Sequence, residues 1–445
     1  MDTCTAIVGI NWGDEGKGRM VDLLTEDFDI VVRYQGGGNA GHTIINRYGE
    51  FVLHLLPSGV FCKGVVNVLG NGVALDPEHL MAEINTLREK GVEITPDNVM
   101  ISERASLLMP WHRRLDTLEK ARLNDDRKID TTRKGIGPFY SDKYQKKTVL
   151  AGELFYPDIL KRHLNDLREW KNLVLTGVYG DAPKSEEEID AWIRTYCEPL
   201  KPFIRNTGDY LTDAMRNHKR ILLEGQLGAL RDLDYGIYPY TTSSNVLSCY
   251  GPIGAGIPHA KVERTIGVVK AYSSCIGDGP FVCELFGEEA EYLRRIGGEY
   301  GRRPHRIGPI DLVATRYGVK IQNATEIALT KLDVLSQMDE IPLCVRYRLD
   351  GKETDRMPFP SLLDRCEPVI ETMKGWKCDI SGARKWWDLP REAQEYVQRI
   401  EHSIGAIIKW ISVGPSATAS SCGTWTDSVQ LYAGHAQESI ISPTH

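Results

Sequence analysis

Two glycine-rich segments near the start of the chain carry residue types suited to phosphate chemistry. The first glycine loop (residues 9–19) reads GINWGDEGKGR and follows the apolar run TAIVGI. Its glycines allow backbone N–H groups to turn toward a phosphate, and Lys17 adds a positive charge near the start of a predicted helix. Gly18 stands where the usual P-loop has a hydroxyl residue for magnesium, so Asp14 is the candidate magnesium ligand. The alternative is a tight strand-to-helix turn that only exposes charges.

The second glycine loop (residues 36–43) reads GGGNAGHT and follows the predicted buried strand DIVVRY. Consecutive glycines that end in Asn39, His42 and Thr43 suit a loop that wraps an anion and directs an imidazole toward it. A lone histidine is more often a structural residue. The glycine context and the Asp14 loop nearby favour a catalytic role for His42.

The bulk composition excludes several classes of protein. The chain has 445 residues, 42% of them hydrophobic and 26% charged, with a formal net charge of −7. A balance of this kind predicts a soluble globular protein with no general attraction to nucleic acid or to an anionic membrane. No apolar stretch has the roughly 18 residues that a membrane-spanning helix needs. The start of the sequence does not resemble a secretory signal, and ten cysteines without a C-x-x-C pair are typical of reduced thiols, so we predict a cytosolic protein.

Alternating strand and helix patterns predict the fold. Helical residues 20–24 follow the first glycine loop, and Asp76-Pro77 predicts the start of a helix that Gly91 closes. Short apolar runs ending in polar or glycine-rich loops predict strands at residues 5–10, 29–34, 67–69, 220–223, 265–269 and 327–329. We therefore expect an α/β fold with a large, mostly parallel central sheet, a P-loop-like phosphate-binding loop, helices on both faces and helical insertions. Ligands should bind at the carboxyl ends of the strands.

The sequence indicates a single domain over residues 1–415. Residues 150–220 are charged and helical in pattern, which is typical of a solvated insertion. Residues 416–445 are small and polar, and we predict a loosely held tail.

The two glycine loops together closely resemble the adenylosuccinate synthetase family, whose signature is W-G-D-E-G-K-G followed by R-Y-Q-G-G-x-N-A-G-H-T. The resemblance extends over residues 4–416. It includes LGNGV (69–73), TTRKGIGP (131–138), GIYPYTTSSN (236–245), KAYS (270–273), GPF (279–281), TKLDVL (330–335) and SVGP (412–415).

This resemblance implies a two-step ligation that forms a C–N bond. Asp14 would take the N1 proton of IMP, the 6-oxygen would attack the γ-phosphate of GTP, and the amine of L-aspartate would then displace phosphate. His42 would donate to oxygens that gain charge during phosphoryl transfer. Both steps would use Mg²⁺, held by Asp14 and the carbonyl of Gly41.

The resemblance also implies sets of binding residues. GTP would be bound by Gly13, Glu15, Gly16, Lys17, Gly18, Gly41, Thr43, Lys331, Leu332, Asp333, Ser412, Val413 and Gly414. IMP would be bound by Asn39, Thr132, Lys146, Gln226, Thr242 and Arg303, and the amino acid by Arg302, Arg303 and Arg306. Lys146 stands where the family has an arginine that reaches in from the other subunit, which implies a homodimer. Lys331 and Asp333, in the base loop (residues 330–333), would read guanine, because a carboxylate accepts both the N1 and 2-amino hydrogens.

Three departures from the family concern the acceptor and amino-acid sites. The family's E-G-A-Q-G is Glu224-Gly-Gln-Leu-Gly228 here, so Leu227 replaces a glutamine that contacts the purine 6-oxygen, and Gln226 is the candidate substitute. The amino-acid loop (residues 301–309) reads GRRPHRIGP and lacks about three residues of the family pattern, including a Thr-Thr pair, with His305 in place of an arginine. Cys275 also replaces a usual arginine.

These departures leave three functions open. The first is adenylosuccinate synthetase activity in AMP synthesis. The second is a paralogue that applies the same phosphoryl activation to another purine nucleotide or amine. The third is a non-catalytic nucleotide-binding protein, although such a protein has little reason to keep both Asp14 and His42.

Overall fold

A parallel β-sheet organises the chain in the computed structural model, which describes residues 2–46, 48–123, 132–300 and 304–414. Strands, numbered in chain order, are β1 Thr3–Gly9, β2 Ile30–Arg33, β3 His42–Asn46, β4 Gly49–Leu53, β5 Val66–Leu69, β6 Ala74–Leu75, β7 Val99–Ser102, β8 Ser106–Leu107, β9 Ile204–Arg205, β10 Ile221–Gly228, β11 Lys261–Lys270, β12 Ser273–Cys275, β13 Arg306–Gly308, β14 Ile310–Asp311, β15 Glu326–Thr330, β16 Glu340–Leu349, β17 Lys352–Thr354, β18 Cys366–Lys374 and β19 Ile407–Ile411. Helices are α1 Lys17–Leu24, α2 Pro77–Glu89, α3 Pro110–Arg122, α4 Ile136–Tyr144, α5 Pro157–Tyr179, α6 Glu186–Trp192, α7 Thr207–Arg216, α8 Gly251–Ala255, α9 Gly287–Gly297, α10 Leu312–Gln322 and α11 Arg391–Ile404.

The central sheet has nine strands among the described residues, in the order β19-β15-β11-β1-β10-β2-β5-β7-β9, and every pairing is parallel. The predicted α/β class with a mostly parallel sheet is confirmed. Smaller antiparallel pairs stand outside it, including the β3–β4 hairpin and the β16–β17–β18 sheet.

Helices cover both faces of this sheet, as predicted. Ala6 and Val8 of β1 point into a cluster that contains Leu211 of α7, while Ile7 points into another that contains Met20 of α1. Strands buried on both faces explain the continuous apolar runs of the sequence.

The predicted starts and ends of elements differ most from the structure in three places. Helix α1 begins at Lys17 rather than residue 20, because Gly16, with φ 94°, ends the loop and leaves Lys17-Gly18-Arg19 as the first turn. Strand β10 continues to Gly228 rather than ending at 223, because the charge of Glu224 is paired inside the protein. Strand β11 also begins four residues before the predicted 265, at Lys261, which pairs with β1.

The helix predicted after Asp76 is confirmed. The Asp76 side chain accepts a hydrogen bond from the backbone N–H of His79 at 3.2 Å, Pro77 is the first helical residue, and Leu80 and Ile84 are buried. Helix α2 therefore follows the expected capping rules.

Residues 150–220 form α5, α6 and α7 together with the edge strand β9. Leu160, Leu164 and Leu167 of α5 are buried in the same cluster as Val99 and Ile101 of β7. This segment therefore packs against the sheet through an apolar face. The predicted tail at 416–445 lies outside the described residues.

No helix within the described ranges has both the length and the apolar character that crossing a lipid bilayer requires.

Candidate active site

Two strands of the central sheet bring the two glycine loops together. The first follows β1 and the second follows β2, with β10 lying between these strands in the sheet. A Cβ atom added to Gly18 would lie only 2.7 Å from the Cβ of His42, so α1 starts directly against His42. The loops that follow parallel strands all begin at the same edge of the sheet, at the carboxyl ends of the strands. Asp14 and His42 lie on adjoining loops at that edge.

Asp14 is held at the mouth of the site. Its backbone has φ 62°, a left-handed conformation that aspartate tolerates better than most residues, and its side chain is 45% exposed. Asp14 Oδ2 lies 3.4 Å from Lys270 Nζ and 3.6 Å from His305 Nδ1. A carboxylate that is solvent-accessible on one side and flanked by an ammonium group and an imidazole on the other can both accept a proton and ligate a cation.

Glu15 stabilises the first glycine loop from inside. Its buried carboxylate accepts hydrogen bonds from the backbone N–H groups of Asn11 at 3.1 Å and Gly13 at 2.9 Å, and it pairs with Lys17 Nζ at 2.6 Å. The side chain of Glu15 is thus engaged with its own loop. Lys17 must exchange this partner for a phosphate if a triphosphate binds here.

The imidazole of His42 is oriented by buried charges. Its Nδ1 lies 2.6 Å from Glu224 Oε1, and Arg33 Nη1 lies 3.6 Å from the same oxygen. Burial and Arg33 lower the pKa of His42, while Glu224 opposes that shift. Burial would raise the pKa of Glu224, but hydrogen bonding to His42 and the charge of Arg33 lower it to about 2. The neutral ring therefore carries its proton on Nδ1 and directs Nε2 away from Glu224.

Three predicted ligand-binding residues carry buried polar atoms that lack a hydrogen bond within the described residues. These atoms are His42 Nε2, Asn39 Oδ1 and Thr242 Oγ1. A buried polar atom without a partner costs about 1–3 kcal/mol. A bound ligand that supplies the partner would recover that free energy.

The other two residues predicted to bind the acceptor phosphate lie near helix α4 and are exposed. Thr132 precedes α4 and Lys146 follows it. A Cβ atom on Gly37 would lie 2.8 Å from Ile136 Cδ1, so the start of α4 contacts the second glycine loop. Thr132 thus lies close in the chain to a segment that touches this loop, whereas Lys146 follows the other end of α4.

The Gln226 side chain is bound to the second glycine loop. Its amide oxygen accepts from Gly37 N at 2.9 Å, and its amide nitrogen donates to Gly37 O at 2.8 Å and Ala40 O at 3.3 Å. A Cβ atom on Gly36 would lie 1.6 Å from Gln226 Oε1, so glycine is required there. Both amide hydrogens of Gln226 are used in bracing this loop, so in this arrangement its side chain has no donor left with which to replace the missing glutamine.

Leu227 lies where that glutamine would be. Its backbone has φ 62°, and its Cα is 3.5 Å from the position of a Cβ atom on Gly13. The half-buried side chain carries no hydrogen-bonding group, so this position offers no donor to a purine 6-oxygen.

The residues predicted to read the nucleotide base lie on two segments that a hydrogen bond joins. The backbone N–H of Leu332 donates to Ser412 O at 3.1 Å, which joins the base loop to residues 412–414. Arg19 of α1 donates to Gly414 O at 2.8 Å. Burial raises the pKa of the Asp333 carboxyl, and Lys331 and Arg19 oppose this shift. Asp333 is thus a half-buried carboxylate beside two cationic side chains.

Only part of the amino-acid loop lies within the described residues. The predicted Arg302 and Arg303 lie outside them. Arg306 is already paired, since its Nε lies 2.8 Å from Glu284 Oε2 and its Nη1 donates to Gly279 O at 2.6 Å. Arg306 must release an internal partner before it can bind a carboxylate substrate. Thr43, predicted to contact GTP, is exposed at the start of β3.

The oxygen atoms of Asp14 and Gly41 fit a hard cation such as Mg²⁺. Both residues are exposed at the meeting point of the two loops. Ligand atoms of Asp14, Glu299 and His305 also lie within 4.8 Å of one another. Lys270 and Lys331 donate to Glu299, however, so a cation at that group would face two ammonium groups.

Sequence reasoning missed the buried charges that support the site, namely Glu224, Arg33, Lys270 and Glu299. Each carries a charge that is nearly fully buried. Arg33 and Glu224 are charged residues within apolar strands. Because buried charges are rare unless they are paired, these positions could have indicated a buried ion pair from the sequence.

Comparisons with known proteins agree with this geometry. A family model described as adenylosuccinate synthetase matches residues 6–420. The adenylosuccinate synthetase of Chlorobium phaeobacteroides is 44% identical over 422 residues, which are 93% of this chain and 96% of that protein. The adenylosuccinate synthetase of Caldanaerobacter subterraneus subsp. tengcongensis is 42% identical over 417 residues, 92% of this chain and 97% of that protein.

Solved structures show the same fold. The fully ligated adenylosuccinate synthetase of Plasmodium falciparum superposes with a TM-score of 0.86 at 35% identity, covering 93% of this chain and 97% of that one. The succinoaminodeoxyadenylate synthetase of cyanophage S-2L, bound to dGMP and dATP, has a TM-score of 0.60 at 17% identity, with 94% of both chains covered. The second likeness concerns the fold alone.

Proposed function

The chain belongs to the adenylosuccinate synthetase family of GTP-dependent ligases. We propose that it ligates IMP and L-aspartate with conversion of GTP to GDP and phosphate, and that residues of its two glycine loops carry out this reaction. The observation that carries this assignment is the position of Asp14 and His42 on adjoining loops, where Glu224 of β10 holds the imidazole, with the base loop following a strand that lies two places from β1 in the sheet. A non-catalytic nucleotide-binding protein would not need an imidazole held by a buried carboxylate with its second nitrogen left without a partner.

In the first step, Asp14 accepts the N1 proton of IMP, and the 6-oxygen attacks the γ-phosphorus of GTP while GDP leaves. The accessible carboxylate of Asp14 is suited to this proton transfer. His42, once protonated and paired with Glu224, donates from Nε2 to the oxygen that gains charge as the bond to GDP breaks. Lys17 leaves Glu15 for the phosphates.

In the second step, the amine of aspartate forms a bond to C6, and phosphate departs with the former 6-oxygen and takes up the proton that the amine loses. Arg302 and Arg303 are the proposed ligands of the aspartate carboxylates, since guanidinium groups bind carboxylates in a bidentate manner. Arg306 joins them if it exchanges Glu284 for substrate. Asn39, Thr132 and Thr242 hold the IMP phosphate through neutral hydrogen bonds.

Mg²⁺ would be held by the Asp14 carboxylate and the Gly41 carbonyl, where it would neutralise charge on the triphosphate. The oxygen-only donor set and the exposure of both residues support this assignment.

A homodimer is the proposed assembly, with Lys146 contributing to the partner's IMP phosphate site. Lys146 is exposed, with φ 61°, and exposed large apolar side chains lie on both sides of it in the chain, at Tyr144, Leu150 and Phe155. Sedimentation velocity measures the assembly. A Lys146→Ala variant should raise KM for IMP while it stays dimeric, and a monomeric wild type would oppose the assignment.

Adenylosuccinate formation, followed by its absorbance change, tests the proposed function directly. Purified protein with IMP, GTP, Mg²⁺ and aspartate should turn over. Asp14→Asn should lose activity, while the exposed Asp27→Asn should not. Parallel reactions with GMP, dGMP or ATP, and with other amino acids, test whether Leu227 and the shortened amino-acid loop have changed the substrates. Faster turnover with any of these than with IMP and aspartate would overturn the assignment.

A further inference from the structure

Glu299, which follows α9, is a fully buried carboxylate on which four side chains converge. Lys270 Nζ lies 2.7 Å from Oε1 and 2.9 Å from Oε2, and Lys331 Nζ lies 2.8 Å from Oε1. The Tyr272 hydroxyl donates to Oε1 at 2.6 Å, and His305 Nδ1 lies 2.7 Å from Oε2. Both oxygens of Glu299 are thus shared among several donors.

These donors come from separate parts of the site. Lys331 belongs to the base loop, where it has the left-handed φ of 59°. His305 belongs to the amino-acid loop, just before β13. Lys270 ends β11 and also reaches Asp14 Oδ2 at 3.4 Å. A single carboxylate therefore connects the guanine-reading lysine, the amino-acid loop and the proposed proton acceptor.

The negative charge of Glu299 is needed to hold the two lysine side chains close together. Lys270 is buried and Lys331 is half-buried, and both ammonium groups lie against the same oxygen of Glu299. Burial would raise the pKa of Glu299, but hydrogen bonding to His305 and the charges of Lys270 and Lys331 hold it far below its usual range. Without the negative charge, two like charges would face each other in a poorly solvated place, so each would have to move.

We propose that Glu299 is a positioning residue that couples the base loop to the amino-acid loop. The proposal rests on the proposed function, in which Lys331 packs on guanine and the amino-acid loop holds aspartate. A nucleotide that fixes Lys331 also fixes Glu299 and, through it, His305. Such a coupling is reciprocal, so the amino acid strengthens nucleotide binding by the same factor.

This coupling is tested by cross-effects, in which a substitution in one site changes the KM of the substrate that binds at the other site. Lys331→Met, assayed at saturating GTP, should raise KM for aspartate by about tenfold, although Lys331 lies outside the amino-acid loop. His305→Ala, assayed at saturating aspartate, should raise KM for GTP by a similar factor. In a Glu299→Gln background both cross-effects should shrink to less than about twofold, because the shared acceptor has lost its charge. KM for IMP is an internal reference that should change little.

Glu289→Gln is the matched control, since Glu289 is an exposed carboxylate on the same helix α9, and it should leave both cross-effects intact. If Glu299→Gln does not fold, as judged by its melting curve, the double variant Lys331→Met/His305→Ala decides. Effects on the two KM values that are not additive support the coupling, and additive effects overturn it. The proposal also fails if Lys331→Met raises KM for GTP and leaves KM for aspartate unchanged. Failure of the proposed function is a separate result, since the wild type itself would then form no adenylosuccinate.

Discussion

His42 Nδ1 lies 2.6 Å from the buried carboxylate of Glu224, while Nε2 of the same ring is buried without a hydrogen bond in the described part of the chain. This arrangement fixes both the orientation and the tautomer of the imidazole. It also lets Glu224 stabilise the ring when it becomes an imidazolium. We therefore propose that His42 and Glu224 act together in catalysis; the supporting role of Glu224 was not predicted from the sequence.

Glu224→Gln should lower kcat by about 100-fold and change KM for IMP and GTP much less. Glutamine keeps the size of the side chain but cannot stabilise a charged imidazole, and its NH₂ group can face Nδ1 and favour the wrong tautomer. Steady-state rates of adenylosuccinate formation measure both constants.

A control at an exposed carboxylate separates catalysis from general charge effects. Glu50→Gln, on the exposed side of β4, should have wild-type kcat. Because Glu224 is completely buried, the melting temperature of Glu224→Gln must also be recorded. A well-folded Glu224→Gln enzyme with wild-type kcat would contradict a role for this pair.

The sequence predicted those features of the fold and of the candidate site that depend on residues close together in the chain. The glycine loops, the cap at Asp76 and the α/β class all follow from spacing within a few residues. The supporting charges could not be predicted in this way, because their partners are remote: His42 and Glu224 are 182 residues apart, and Lys270 and Glu299 are 29 apart. Whether Gln226 could take the role of the missing glutamine depended on the direction of its side chain. That direction is set by packing against the second glycine loop, which the sequence does not show.

Gln226→Ala should raise KM for IMP by about tenfold and lower kcat much less. The substitution removes three hydrogen bonds to the backbone of the second glycine loop, each worth about 0.5–1.5 kcal/mol, and so frees the segment that carries Asn39. Initial rates with varied IMP, at saturating GTP and aspartate, measure this change.

The exposed Gln145→Ala is the matched control, and its constants should equal those of the wild type. If Gln226→Ala instead lost kcat with KM for IMP unchanged, Gln226 would have to contact the reacting 6-oxygen, and its role as a brace would be wrong.

Asp333→Asn should weaken the preference for GTP over ITP. The carboxylate would accept hydrogen bonds from both N1 and the 2-amino group of guanine, whereas an asparagine could accept only one and would place an NH₂ group beside the other donor. We expect kcat/KM for GTP to fall by about 10- to 100-fold, with a smaller loss for ITP, which lacks the 2-amino group. Asp339→Asn, at an exposed carboxylate, should keep the wild-type ratio. If the ratio of kcat/KM for GTP to that for ITP were unchanged in Asp333→Asn, Asp333 would not contact the N1 and 2-amino edge of guanine.

The pH dependence of stability should show the burial of His54. Burial, together with the neighbouring His79, lowers the pKa of His54 to about 4, below the value of about 6.5 in an unfolded chain. Between these two values the unfolded state binds more protons, so stability decreases as the pH falls from 6.5 toward 4. Because His54 is only half-buried, we expect the wild type to lose about 1 kcal/mol more than His54→Gln between pH 7 and 5.5, measured by urea unfolding. The exposed His259→Gln should follow the wild type, and parallel curves for all three proteins would show that His54 keeps an ordinary pKa.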